Sequence, residues 1–283
     1  MSRKEKPEFT IIRIPKGNGK FRTIYVPRAD VKGKLRAVIP TLEELALDKC
    51  PPDVVHGFWP ARSCVTNAAM HVGYEFTVCF DFRDFFDHCT LAMIQDAQVQ
   101  GVQQLFPDGA ARQGLPTSPA VANICASRLD WALYDFCQAT GIVYTRYADD
   151  LTFSCNEWQQ IRILLHLVPE LAKQHGFEIN ERKTRTQCAK AGRRVITGVA
   201  VDDKAVYPTR KTRRKLRAAV HKMTLKPDNP HWKHCMFGLG EWAKCKTPGL
   251  GKKARKAIEE NPGDAIQIAA HAAQFPVKGE SNP

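Results

Sequence analysis

The sequence predicts a fold that mixes α-helices with short antiparallel strands. Apolar and polar residues alternate over residues 9–27, where a Gly-Asn-Gly turn separates two strand-like halves. A second pair of short apolar runs flanks residues 147–150, and apolar residues recur at helical spacing in several other segments. The chain has 283 residues, of which 43% are hydrophobic, so its core can fill two domains or one large multi-lobed domain.

The first predicted element is the hairpin of residues 9–27. Lys16, Lys20 and Arg22 lie at or beside its tip. A basic hairpin tip is commonly a solvated loop, but next to a metal site it suits a clamp on a triphosphate. The residues alone leave both interpretations open.

Two helices are predicted next. Residues 28–50 carry an apolar stripe at helical spacing. Residues 113–119, Gln-Gly-Leu-Pro-Thr-Ser-Pro, predict a flexible glycine turn that opens onto a second helix, with Thr117 or Ser118 as its cap. Such a turn lets backbone approach a nucleotide closely.

The second half of the chain predicts a further helix followed by strands. Residues 157–175 are amphipathic, and Gly176 ends the helix that they predict. Segments 177–187 and 193–203 have the composition of strands or strand-like ribbons.

Acidic residues are placed where the predicted strands end. Asp149 and Asp150 lie side by side between two apolar runs, and Asp81 follows directly on the strand-like run Glu-Phe-Thr-Val-Cys-Phe. A lone Asp-Asp pair is more often a solvated turn. Three carboxylates from neighbouring strand ends predict instead a site for two divalent ions, with oxygen ligands that suit Mg²⁺ and the chemistry of phosphoryl transfer.

The charge of the chain points to a polyanionic partner. The formal net charge is +13, and residues 204–283 hold 17 Lys and Arg against 6 Asp and Glu, a net +11. No apolar run approaches the length that spans a bilayer, so we expect a cytoplasmic protein with no membrane partner. The ten cysteines form no CxxC pair, and we expect most of them to be reduced core residues.

Taken in order, six motifs resemble those of bacterial reverse transcriptases of the retron type. They are Ile-Pro-Lys-Gly-Asn-Gly-Lys-Phe-Arg at 14–22, Asp-Phe-Arg-Asp-Phe-Phe at 81–86, Gln-Gly-Leu-Pro-Thr-Ser-Pro at 113–119, Tyr-Ala-Asp-Asp at 147–150, Gly-Phe-Glu-Ile-Asn with Lys-Thr at 176–184 and Ile-Thr-Gly at 196–198. Two features resemble retron enzymes in particular: Asn-Ala-Ala-Met-His at 67–71, which matches an NAxxH pattern, and the Ile-Thr-Gly triplet, which is close to VTG. The resemblance covers roughly residues 10–200.

The resemblance implies a right-hand polymerase of the α+β class, with an antiparallel palm sheet, fingers and an α-helical thumb. It places the N-terminal part of the fingers at 1–72, the palm with inserted fingers helices at 73–203 and a basic helical thumb at 204–283.

The resemblance also implies roles for individual residues. The metal ligands would be Asp81, Asp149 and Asp150, and the catalytic acid Lys183, which the residues alone leave as an ordinary surface lysine. The nucleotide-binding residues would be Lys16, Arg22, Phe86, Gln113 and Gly114, with Phe86 discriminating between sugars. The nucleic-acid-binding residues would be Asn67, His71, Thr197, Gly198, Arg210, Lys211, Arg213, Arg214, Lys215 and Arg217.

The implied function is that of an RNA-directed DNA polymerase using two Mg²⁺ ions and dNTPs. It would copy a structured non-coding RNA, which supplies both template and primer, into short single-stranded DNA joined to that RNA by a branch. By the same resemblance it would act in defence against phage with an effector protein, and an external ribonuclease H would remove the template. Two alternatives stay open: another bacterial reverse transcriptase, of group II intron or abortive-infection type, and an RNA-binding scaffold that restrains a toxin.

Overall fold

The computed structural model describes residues 8–17, 19–94 and 102–225. Its first element is an antiparallel hairpin of β1 (Phe9–Gly17) and β2 (Lys20–Pro27), in which Ile14 pairs with Arg22. The predicted N-terminal hairpin is therefore confirmed.

A pair of helices follows the hairpin. The sequence predicts one helix over 28–50, whereas the structure has α1 (Ala29–Ala37) and α2 (Ile39–Lys49), which meet at Val38. Pro40 lies in the first turn of α2, where its missing N–H costs nothing but where it would remove a hydrogen bond from a continuous helix. Leu35 and Leu42 bury the inner face of the pair.

The largest sheet has four antiparallel strands in the order β4-β5-β3-β6. The strands are β3 (Phe76–Asp81), β4 (Val143–Tyr147), β5 (Asp150–Cys155) and β6 (Arg185–Cys188). Two long helices, α5 (Ser118–Thr140) and α6 (Trp158–Gln174), pack against it. Because side chains alternate along a strand, Val78, Phe80 and Phe153 enter the main hydrophobic core, while the opposite face of the sheet carries Thr77 and Ser154.

A smaller three-stranded sheet closes the polar face of the large sheet. It contains β7 (Arg194–Ile196), β8 (Val199–Val201) and β9 (Val206–Pro208), and the short helix α3 (Cys64–Ala69) packs on it through a separate apolar cluster. The helix α3 precedes residue 72, β7 and β8 lie between 73 and 203, and β9 follows 203. The predicted boundaries between fingers, palm and thumb therefore divide this packed unit. The limits themselves stay a prediction.

The remaining described elements are α4 (Phe85–His88) and α7 (Arg210–Leu225). The helix α7 lies within the predicted basic thumb, and residues 226–283 of that thumb lie outside the described residues. The eight cysteines that the structure describes are free thiols, six of them buried. Within the described ranges, no helix is both long enough and apolar enough to cross a membrane.

Candidate active site

Strand register brings the predicted acids together at one edge of the large sheet. Asp81 ends β3 and pairs directly with Asp150, the first residue of β5. Asp149 precedes it in the two-residue turn between β4 and β5, where Ala148 has a left-handed φ of 57°. The backbone N–H of Phe82 donates to the carbonyl of Asp149 at 2.9 Å, which fixes this turn, the acid turn, to the end of β3.

Burial and mutual repulsion raise the pKa values of Asp149 and Asp150. Burial, together with the negative charges of Asp149 and Asp81, raises the pKa of Asp150 to about 6. Burial is likewise the main cause of the raised pKa of Asp149. Partly buried carboxylates that repel one another are stabilised by a bound cation, so the electrostatics of this edge favour one.

Lys183 supplies a cation to this edge. Its Nζ donates to Asp81 Oδ1 at 2.6 Å, and this hydrogen bond is the main cause of the raised pKa of the lysine. Paired in this way, Lys183 holds its proton more tightly, so the acid role that the resemblance implies would require the pair to open, and that role stays a prediction.

The three carboxylates fit Mg²⁺ in their donor chemistry, since Mg²⁺ is bound by carboxylate oxygens together with phosphate and water. Their present arrangement is less complete than the sequence predicts. Among the residues that the structure describes, no group of three or more His, Cys, Asp or Glu side chains is placed to hold a metal ion. Asp81 Oδ1 accepts from Lys183, so an ion bound here would either share the Asp81 carboxylate with the lysine or displace it.

A buried polar network supports the acid turn from the core side. Arg146 of β4 and Asp130 of α5 form a fully buried ion pair at 2.6 Å, and Tyr144 donates to the same carboxylate at 2.7 Å. Arg146 also donates to the Asn123 side chain at 3.0 Å and to the carbonyl of Ala148 at 3.2 Å. The network therefore links α5 to the residue just before Asp149.

Gly57 holds the other side of the acid turn. A Cβ at this position would lie 2.1 Å from the backbone nitrogen of Ala148, so only glycine allows the loop to approach so closely. Asn123 donates to the carbonyl of Gly57 at 3.2 Å. The same asparagine thus binds both the loop and the arginine that supports the turn.

Four of the five predicted nucleotide-binding residues lie on the hairpin and on the turn before α5, which contact each other. The backbone N–H of Tyr25 donates to the carbonyl of Gln113 at 2.8 Å, and Gly114 lies so close to β2 that a Cβ would be 2.5 Å from the carbonyl oxygen of Tyr25. The close contact with β2 is a sufficient reason for glycine at position 114, whether or not a nucleotide binds there. Arg22 is exposed on the same strand, and Lys16 is exposed near the hairpin tip. Burial raises the pKa of Asp149, and the positive charge of Arg22 offsets a small part of that rise.

Phe86 lies in α4, five residues beyond Asp81. Its ring packs against Phe85 at a centroid distance of 5.7 Å and against Phe58 at 6.0 Å. The next residue, Asp87, accepts a hydrogen bond from Arg112 at 2.6 Å, which ties α4 to the segment just before Gln113.

The two retron-like motifs contact one another inside the protein through Asn67 and Thr197. Asn67 and His71 are fully buried, and Asn67 Nδ2 donates to Thr197 Oγ1 at 3.5 Å. His71 hydrogen-bonds through its two ring nitrogens to the hydroxyl oxygens of Ser154 and Thr145 at 2.9 and 2.7 Å. The expectation that Asn67 and His71 touch nucleic acid directly does not fit this burial, because both side chains are used inside the protein.

Thr197 and Gly198 form the tight turn between β7 and β8, with φ values of 46° and 81°. Gly198 is exposed, while Thr197 donates its hydroxyl to the carbonyl of Cys64 at 3.3 Å. Their predicted contact with nucleic acid stays a prediction.

Six predicted cationic contacts lie on the exposed surface of α7. They are Arg210, Lys211, Arg213, Arg214, Lys215 and Arg217. Four of them, Arg210, Lys211, Arg214 and Lys215, line one open groove.

Sequence reasoning missed the residues that hold the acid turn. Arg146 and Asp130 are charges of opposite sign within apolar elements, and that combination is the signal by which a buried pair can be recognised. Gly57 and Asn123 carry no comparable signal, because the contact that each makes exists only in the folded chain.

A sheet with paired acids at its edge, flanked by helices and a basic hairpin, defines the class of palm-type polymerases. Residues 14–204 match the family described as reverse transcriptase (RNA-dependent DNA polymerase), and the chain belongs to this family. The family is generally metal-dependent.

Curated relatives confirm the resemblance to retron enzymes. The chain is 30% identical over 269 residues to the retron Mx65 reverse transcriptase of Myxococcus xanthus, an alignment that covers 85% of this chain and 62% of the relative. It is 31% identical to the retron Mx162 reverse transcriptase of the same organism, over 74% of this chain and 51% of the relative. The chain thus spans about half to two thirds of the length of these relatives.

Solved structures confirm the α+β fold with its antiparallel palm sheet. Telomerase from Candida albicans superposes with a TM-score of 0.54 at 13% identity, over 92% of this chain and 54% of that one. A foamy viral protease-reverse transcriptase gives a TM-score of 0.52 at 16% identity, over 96% and 45% of the respective chains.

Proposed function

We propose that this chain is a retron-type RNA-directed DNA polymerase that extends a primer by nucleotidyl transfer at Asp81, Asp149 and Asp150. The observation that carries the proposal is the direct register pair of Asp81 with Asp150, with Asp149 beside it at the exposed edge of the sheet.

The three carboxylates would hold two Mg²⁺ ions. Bound there, the ions supply an acidified primer hydroxyl and charge neutralisation at the triphosphate. Lys183, released from Asp81, would protonate the leaving pyrophosphate through its ammonium. Arg22 and Lys16 lie on the hairpin that would bind the triphosphate, while Gln113 and Gly114 would border the nucleotide, and Phe86 would exclude ribose by filling the space of a 2′-hydroxyl.

The finer features of the proposal follow the retron relatives. The template and primer would be one structured non-coding RNA, and the product a single-stranded DNA branched from a guanosine 2′-hydroxyl of that RNA. An external ribonuclease H would remove the copied template. The protein would act in the cytoplasm, with an effector protein in defence against phage.

The catalytic assignment is tested with Asp150→Asn. Loss of one carboxylate should abolish nucleotide incorporation, by at least about a hundredfold, because ion geometry is lost. RNA binding should be nearly unchanged, since the cations of α7 are untouched. Asp135→Asn, at an exposed carboxylate on α5, is the matched control and should retain full activity. Incorporation by Asp150→Asn within a few-fold of wild type would refute the assignment.

The retron assignment is tested on nucleic acid purified with the protein. A 2′,5′ branch has no free 2′-hydroxyl beside its phosphodiester, so the branch nucleotide should survive ribonuclease A and alkali and then yield to a debranching enzyme. DNA with a free 5′ end would indicate conventional priming, and DNA joined to protein would indicate protein priming. RNA with no DNA would favour the scaffold.

A further inference from the structure

The loop that leads into α3 holds its backbone in an unfavourable conformation at three places. Asp53, Phe58 and Ala61 have φ values of 59°, 60° and 57°, in the left-handed region. Phe58 is the bulkiest of them, and its side chain is 44% exposed. A bulky residue in this region costs free energy that glycine or asparagine would avoid.

Burial does not offset that cost at Phe58, because nearly half of its side chain remains in contact with solvent. An exposed aromatic ring on a strained backbone contributes little to the stability of the fold. The conformation persists because the loop is fixed next to it: Gly57 is wedged against the acid turn at Ala148, and its carbonyl accepts the Asn123 hydrogen bond.

That anchoring determines where the ring of Phe58 lies. Its only aromatic neighbour among the described residues is Phe86, at a centroid distance of 6.0 Å and an interplanar angle of 46°. Phe86 is supported from the core by Phe85, so Phe58 supplies the solvent-side contact. The loop therefore connects the acid turn to the aromatic ring that the proposed function assigns to sugar discrimination.

We propose that Phe58 is a specificity-determining residue that acts by positioning Phe86. The inference rests on the proposed function, in which Phe86 excludes ribonucleotides. Held between Phe58 and Phe85, the ring of Phe86 cannot swing away from the sugar of an incoming nucleotide. Strain in the loop is tolerated because it places the Phe58 ring at this contact.

The experiment measures the ratio of deoxyribonucleotide to ribonucleotide incorporation efficiency for the full chain on one RNA template. The variants are Phe58→Gly, Phe58→Tyr, Phe86→Val and the double variant Phe58→Gly/Phe86→Val. Ala61→Gly is the matched control, since it relieves the same backbone strain in the same exposed loop without an aromatic contact.

Phe58→Gly should lower the discrimination ratio by roughly threefold to tenfold, the range expected for loss of one aromatic pair. Its melting temperature should not fall, because glycine accepts the left-handed conformation. Phe58→Tyr should keep the ratio, as should Ala61→Gly. In the Phe86→Val background the loss of Phe58 should add nothing, since its effect is transmitted through Phe86.

Each contrary result has a separate meaning. If Phe86→Val relaxes discrimination and Phe58→Gly does not, the positioning role of Phe58 is overturned while the proposed function stands. A Phe58→Gly effect of equal size in both backgrounds would show that Phe58 acts independently of Phe86, which also overturns the inference. If Phe86→Val itself leaves the ratio unchanged, the sugar-discriminating role fails first, and the inference falls with it.

Discussion

At the scale of single residues, the acid turn depends on groups that do not need to touch a substrate. Arg146 binds the carbonyl of Ala148 from the core, and Gly57 packs against the same residue from the loop. Asn123 joins these two supports. Carboxylates that repel one another need such external supports, because nothing in the turn itself favours keeping them together.

Gly57→Ala tests this support. The added Cβ would lie 2.1 Å from the backbone nitrogen of Ala148, so the loop or the acid turn must move. We expect a loss of about 1–3 kcal/mol in the free energy of unfolding, as for an overpacked core, and at least about a tenfold loss in incorporation rate.

Gly33→Ala is the control for Gly57→Ala. Gly33 lies within α1, where an added Cβ meets nothing within 4 Å, so alanine should stabilise that helix by about 0.5–1 kcal/mol and leave activity unchanged. Wild-type activity and stability in Gly57→Ala would show that the turn does not depend on the close approach.

At the scale of elements, the sequence predicts correctly those helices and strands that are determined by residues close together in the chain. The hairpin of 9–27, the helix after 118 and the amphipathic helix of 157–175 follow from turn residues and apolar spacing, and the structure has all three. Predicted as one helix, 28–50 forms two, because the effect of Pro40 on the backbone outweighs a continuous apolar stripe. The three acids could be singled out from the sequence because paired acids at strand ends are unusual, and their role as metal ligands stays a prediction. The docking of α3 on β7–β9 depends instead on contacts distant in sequence.

Those distant contacts converge on a buried polar cluster under the large sheet. His71 hydrogen-bonds Ser154 and Thr145, and Arg194 donates to Thr77 at 2.9 Å and to the carbonyl of His71 at 2.9 Å. Strands of two sheets and the end of α3 meet there through hydrogen bonds rather than apolar packing. Such a cluster is stable only while its histidine stays neutral, since a buried charge without a partner is costly.

The pH dependence of stability should reveal this cluster. Burial lowers the pKa of His71 from its ordinary 6.5 to about 3, and burial lowers that of His56 to about 3 as well. Between about pH 6.5 and pH 3, the two histidines bind protons in the unfolded chain but not in the folded chain. The stability that they contribute is therefore full above about pH 6.5 and falls as the pH drops toward 3. Each histidine should contribute up to about 1.4 kcal/mol per pH unit to that slope.

Denaturant unfolding between pH 7.5 and 4.5 measures the slope. His71→Asn should reduce it by nearly one proton, and His71→Asn/His56→Asn by nearly two. The same slope in wild type and in the double variant would mean that neither histidine is held neutral by the fold.

At the scale of the whole molecule, charge is divided between a compact acidic edge and a broad basic surface. The net charge is +13, and α7 carries six exposed cations over eight residues, Arg210–Arg217. A field of this kind attracts a polyanion over distances comparable with the Debye length, whereas the acid turn acts only at contact. Binding and chemistry should therefore be separable by mutation.

The last prediction tests that separation on the groove of α7. Lys211, Arg214 and Lys215 line it, and replacing all three with Gln should weaken binding to a structured RNA duplex. The slope of log affinity against log salt concentration should flatten by nearly one unit for each phosphate that is no longer neutralised, up to about three units.

Replacing Lys32, Lys34 and Arg36 on the exposed surface of α1 removes the same net charge and is the matched control. If both triple variants flatten the slope equally, net charge alone drives binding; if neither does, α7 is a solvated face or binds a protein. Only a larger flattening in the α7 variant than in the α1 variant identifies the groove as the surface that binds the nucleic-acid backbone. In that case, the distance between the groove and the acid turn determines how much duplex the enzyme holds while it extends the primer.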